Sequence, residues 1–90
     1  VVINLEIEAD LPEKALLTDE PDGIYDYKKV TKRIITFVQD GRFKLLEVLT
    51  KNILDLVMED PQVRWARVQV DKPHALRFAE SVSVEMEARR

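Results

Sequence analysis

A chain of 90 residues with 46% apolar and 34% charged side chains has the composition of one folded domain rather than a disordered segment. Its net charge of −3, absent cysteines and single histidine exclude a general nucleic-acid binder, a disulfide framework, a thiolate nucleophile and a multi-histidine or cysteine metal site. Gly23 and Gly41 are too far apart for a phosphate-cradling glycine loop, and neither a signal-peptide pattern nor an apolar run of about 18 residues occurs. These features predict a soluble cytoplasmic protein with no membrane or nucleic-acid partner. Its chemistry must come from carboxylates, lysine, arginine, tyrosine or hydroxyls.

The chain opens on a strand. Val1, Ile3, Leu5, Ile7 and Ala9 alternate with Val2, Asn4, Glu6, Glu8 and Asp10, the period of a half-buried sheet. Because this pattern starts at the first residue, a further segment is expected upstream. Residues 11–25, with Pro12, Pro21 and Gly23, read as a long loop with a short turn at Glu13–Leu17. Asp26 suits the cap of a helix running to about Gln39, with Val30, Ile34, Phe37 and Val38 on one face and Gly41 just past its end. A second helix is predicted from Phe43 or Leu45, lined by Leu46, Leu49, Ile53, Leu56 and Val57 and stopped at Asp60-Pro61. Strands follow near 63–70 and 81–88. The order strand, helix, helix, strand, strand predicts an α+β fold with an antiparallel sheet covered on one face, and an upstream strand would complete it as ββααββ.

The connection from Asp71 to Ser81, roughly ten residues, exceeds what an antiparallel hairpin needs. It carries Lys72, Arg77 and the only histidine, His74. Tyr27 at the start of the first helix and Glu47 at the start of the second complete the set of conspicuous side chains. Each has a plain explanation: Tyr27 as a packing residue, Glu47 as an i,i+4 partner of Lys51, Lys72 as a solvated turn residue and His74 as a surface histidine. Lys28, Lys29, Lys32 and Arg33 form a basic cluster that reads as a solvated helix face, although such charge, like that of Arg77, suits a phosphorylated ligand.

The runs Val30-Thr31-Lys32-Arg33-Ile34-Ile35, Arg42-Phe43-Lys44-Leu45-Leu46-Glu47, Asp71-Lys72-Pro73-His74-Ala75-Leu76-Arg77 and Ala79-Glu80-Ser81-Val82 resemble the dihydroneopterin aldolase family, most closely its branch of dihydroneopterin triphosphate 2′-epimerases. The resemblance spans residues 1–90 as a single domain. It implies the tunnelling fold, ββααββ with its first strand missing from this chain, assembled as tetrameric rings that stack in pairs into octamers, with sites at subunit boundaries. It implies that Glu47 holds the pterin, that Tyr27 is donated across a subunit boundary, and that Lys72 is the strand-end proton carrier. Leu46 and His74 become substrate-binding candidates. No metal or other cofactor is implied.

The implied reaction is retro-aldol cleavage between C1′ and C2′ of a 7,8-dihydropterin side chain, with the N5=C6 imine as electron sink. Re-addition of the retained aldehyde gives 2′-epimerisation to the monapterin form. Release of glycolaldehyde gives the aldolase reaction of folate biosynthesis. The family also has an acidic residue in a loop upstream of Val1, so the 90-residue chain alone is expected to assemble poorly and turn over weakly. A non-catalytic module that binds partners through a sheet edge is the reading from a different class. A zinc-dependent pterin cyclohydrolase relative is disfavoured, because the ligands for zinc are absent.

Overall fold

The computed structural model describes residues 1–10, 17, 25–41, 44–73 and 81–90. Among them are three strands and two helices: β1 (Val2–Ala9), α1 (Tyr27–Asp40), α2 (Leu46–Met58), β2 (Val63–Pro73) and β3 (Ser81–Arg89). The sheet has the order β1-β2-β3 and is antiparallel throughout. This is the α+β class expected from the order of elements.

Alternation decides which face of the sheet is dry. Ile3, Leu5, Ile7 and Ala9 of β1, and Met86 and Ala88 of β3, pack against the core, while Val68 and Val70 of the central strand are fully buried. The alternation in β2 changes phase near its start. Glu8 faces Trp65 and Ala9 faces Val63, so Arg64 is an extra residue on β2. That bulge turns both Val63 and Ala66 into the core, and Arg64 reaches Asp10 at 2.6 Å. The other face is polar: Arg67 pairs with Glu6 and lies near Glu85, and both Arg67 and Arg89 sit over the Trp65 ring, at 5.6 and 5.9 Å from its centroid.

The helices cover the apolar face. α2 lies against β2 and β3 through Leu49, Ile53, Leu54 and Val57, and α1 lies against α2 with Val30 and Ile34 buried. Asp26 Oδ1 accepts from the Lys29 amide at 3.0 Å, as an N-cap should. Tyr25 precedes that cap and Val30 stands in the first turn beyond it. Both are buried in the core cluster, the arrangement of a hydrophobic staple. Gly41 closes α1, its N–H donating to Phe37 O at 2.9 Å, in an extended conformation open to any residue. Thr50, fully buried, donates its hydroxyl to Leu46 O at 2.8 Å. The Arg90 guanidinium donates to the carbonyls of Met58, Val63 and Asp60, satisfying groups at the end of α2.

Three expectations need correcting. β2 runs on through Asp71, Lys72 and Pro73, which pair with Ser83, Val82 and Ser81. The connection is therefore confined to 74–80 and is shorter than the ten residues read from sequence. Lys51 pairs with Asp55, not with Glu47, since the i,i+4 neighbour on its C-terminal side takes the same ammonium. Tyr27 is 64% exposed and is not a packing residue; Tyr25, at 8%, fills that role. The turn at Glu13–Leu17 lies, apart from the exposed Leu17, outside the described residues, as do His74 and Arg77. Among the described residues no helix is long and apolar enough to cross a membrane.

Candidate functional site

The start of α2 and the end of β2 meet at one end of the sheet. They enclose a cleft of about 200 Å³ whose floor is apolar, made by Leu45, Leu46 and Leu49 of the helix start and Val82 of β3. Lys72 enters it from β2 and Lys44 from the segment before α2. The register explains the position of Lys72. It pairs with Val82, one position before the proline that ends the strand, since a residue without an N–H is tolerated at a strand terminus.

Two of the sequence candidates, Leu46 and Lys72, thus line one cleft. Glu47 is the next residue after Leu46, in the first turn of α2, and its carboxylate is exposed. A carboxylate in a first turn is favoured by the positive end of the helix dipole. Neither Glu47, Lys72 nor Lys44 has a side-chain hydrogen bond or ion pair among the described residues. Tyr27 stands at the first turn of α1 and is not among the residues lining this cleft. The basic cluster of α1 is also elsewhere. Lys29 and Arg33 line a groove of about 350 Å³ with Tyr25, Asp26, Glu59 and Asp60, and Arg33 pairs with Glu59 at 2.8 Å.

Sequence reasoning gave Lys44 and Tyr25 no role. Lys44 was visible as a charge directly before the helix start, but nothing in a period-3.6 pattern says that a residue ahead of a helix faces a strand end. Tyr25 carried a readable signal, the staple position before Asp26. Its hydroxyl is buried without a hydrogen-bond partner among the described residues. Burial first, and then the carboxylates of Asp60 and Asp26, push this phenol above its usual pKa. No group of three or more His, Cys, Asp or Glu side chains capable of holding a metal ion occurs among the described residues.

An antiparallel sheet backed by a helix pair, with two lysines lining a cleft where a helix starts and a strand ends and an exposed carboxylate, Glu47, next to it in sequence but not among its lining residues, defines a small α+β domain. The family profile of dihydroneopterin aldolase (FolB) matches residues 1–87, and the chain belongs to that family. It is 50% identical over all of its 90 residues to a dihydroneopterin triphosphate 2′-epimerase of Pseudomonas aeruginosa, of which it spans 72%. It is 41% identical, again over its whole length, to the Escherichia coli K12 protein of the same name, spanning 74% of it. Among solved structures, it superposes with a TM-score of 0.85 on a Vibrio cholerae protein assigned as a dihydroneopterin aldolase, at 30% identity, covering 98% of this chain and 74% of that one.

Proposed function

We propose that residues 1–90 form one domain of a cytoplasmic pteridine-modifying enzyme that acts on the side chain of 7,8-dihydroneopterin or its triphosphate, epimerising C2′ by retro-aldol and aldol steps. The observation that carries this reading is the meeting of Leu46 and Lys72 in one cleft, with Glu47 at the adjoining position. It is supported by the 50% and 41% identities to proteins named as enzymes of that activity.

The chemistry of each side chain suits the role. A pterin presents N3–H and its 2-amino group side by side, and the Glu47 carboxylate accepts both in a bidentate, charge-assisted pair. Leu46 and the apolar floor exclude water and strengthen that pair. A base takes the 2′-hydroxyl proton, the C1′–C2′ bond breaks, and its electrons move through C6 to N5. Lys72 exchanges the proton at N5, directly or through one water. Tyr27, reaching from a neighbouring subunit, offers its phenol to the side-chain hydroxyls or to the carbon being protonated, and His74, two residues after Lys72 in the sequence, is a further substrate-binding candidate. Re-addition of the aldehyde, turned over, closes the C1′–C2′ bond with C2′ inverted. The substrate supplies its own electron sink, so the reaction as written draws on no cofactor.

A homo-oligomer, a tetrameric ring paired into an octamer, fits two features. Among the described residues, β1 and β3 each leave an edge unpaired in the three-stranded sheet. Tyr27, Leu45 and Val48 are apolar side chains exposed at the two helix starts. A partner-binding module without catalysis would use the same edges, but the named relatives are enzymes.

The second reading is dihydroneopterin aldolase, releasing glycolaldehyde and 6-hydroxymethyl-7,8-dihydropterin. It is favoured by the family match and by the Vibrio cholerae structure. Incubating the full-length protein with dihydroneopterin and with its triphosphate separates the two. Epimer formation with little free glycolaldehyde is expected. Dominant glycolaldehyde release from the unphosphorylated substrate would make it an aldolase, and turnover of neither would remove the reading.

A further inference from the structure

Among the described residues, the cleft that receives Lys72 has one other charged side chain, Lys44, and the remaining lining side chains, those of Val1, Leu45, Leu46, Leu49 and Val82, are aliphatic. We infer that Lys44 is a specificity-determining residue that binds a phosphoryl group of the substrate side chain, so that the site selects a phosphorylated dihydropterin over the neutral triol. This inference rests on the function proposed above.

Three observations lead there. First, Lys44 has no carboxylate partner among the described residues. Several cations of this surface have carboxylate partners: Lys51 has Asp55, Arg33 has Glu59, Arg64 has Asp10, and Arg67 has Glu6 and Glu85; Lys28, Lys29 and Lys32 of α1 form no ion pair among the described residues but line none of this cleft. Lys44 has none among the described residues, nor does Lys72. Two unneutralised ammonium groups beside an apolar floor raise the local positive potential, and the low-dielectric wall reduces its screening.

Second, among the described residues, the polar groups that the cleft's side chains present are donors only. An ammonium offers three donors and no acceptor. A side chain of free hydroxyls needs acceptors as well as donors, whereas a phosphoryl group is an acceptor on every exposed oxygen. The wall therefore matches the phosphorylated form in hydrogen-bond sense as well as in charge.

Third, the basic cluster on α1 is not placed to serve this cleft within the chain. Lys29 and Arg33 line the groove that also holds Asp26, Glu59 and Asp60, and Lys32 lines another beside Asp40. Those cations sit among acids. Lys44, three residues ahead of the pterin-binding Glu47, is the one that shares a cleft with the proton-carrying Lys72.

The test compares wild type, Lys44→Ala and Lys44→Arg in the full-length protein, with dihydroneopterin triphosphate and dihydroneopterin as alternative substrates. In Lys44→Ala the ratio of kcat/KM for triphosphate to that for the unphosphorylated compound should fall about tenfold or more, chiefly through KM for the triphosphate. Lys44→Arg should retain most of the ratio. Inorganic tripolyphosphate should inhibit wild type competitively, and its Ki should rise by a similar factor in Lys44→Ala. A ratio within twofold of wild type, or an equal fall in kcat on both substrates, overturns the inference while leaving the pteridine reading standing. Wild type inactive on both substrates overturns that reading and the inference with it.

Discussion

Replacing Tyr25 with phenylalanine removes one oxygen from a position where it has no partner among the described residues. The ring itself is part of the core, 8% exposed, and stands at the staple position before the α1 cap. A buried hydroxyl that exchanges water for nothing costs about 1–3 kcal/mol. The groove beside it is large enough to hold water, which argues for the lower end, so Tyr25→Phe should stabilise the fold by about 1 kcal/mol. With a urea m-value on the order of 1 kcal/mol/M for a domain of this size, the unfolding midpoint should rise by about 1 M, at matched protein concentration.

The same side chain gives a pH signature. Its pKa is raised in the folded chain by burial and by Asp60 and Asp26. The folded state thus keeps a proton that the unfolded state starts to release near pH ~10. Stability from this group is intact below that pH and falls as the pH climbs toward the higher folded value, because there the unfolded chain binds fewer protons. The gap between wild type and Tyr25→Phe should therefore widen above about pH 10. A midpoint that drops by about 1 M in the variant would refute the reasoning by showing that the hydroxyl has a favourable partner, and a gap that stays flat through that window would refute the raised pKa of the folded phenol.

Three other substitutions test the remaining links. Asp26→Ala removes the side chain that accepts from the Lys29 amide and should cost about 1 kcal/mol in urea unfolding, with Asp26→Asn costing much less. Ile53→Ala empties a fully buried position between α2 and the sheet and should cost about 2–5 kcal/mol, read by the same titration. Lys72→Met keeps the length of the side chain but not its proton. It should lower kcat by about 10²–10⁴-fold in steady-state assays with little change in far-UV circular dichroism, and a kcat within threefold of wild type would remove Lys72 from the chemistry.

Much of the architecture was legible before any coordinates. Period two in Val1–Asp10, an apolar stripe with an aspartate cap from Asp26, and a second stripe ended at Asp60-Pro61 are local signals, and local signals set element type. Alternation also told which residues of β1 turn inward. Bounds were less secure. The continuation of β2 through Pro73 depends on Ser81, Val82 and Ser83 lying opposite, a contact that no window along the chain contains. The phase change at Arg64 likewise comes from its pairing with β1.

For the site, sequence determined the chemical types, namely a carboxylate at a helix start, a lysine at a strand end and a tyrosine after a helix cap. Their family resemblance named what they resemble. Tertiary structure decided which of them meet. Leu46 and Lys72 are 26 positions apart and share a cleft only because the start of α2 lies over the end of β2. The same packing brings in Lys44 and leaves Lys29, Lys32 and Arg33 of α1 in grooves lined also by acids, a sorting that composition and spacing could not make. Charge is a property of residues, but the charge a ligand meets depends on which neighbours neutralise it, and that is fixed only when the chain folds.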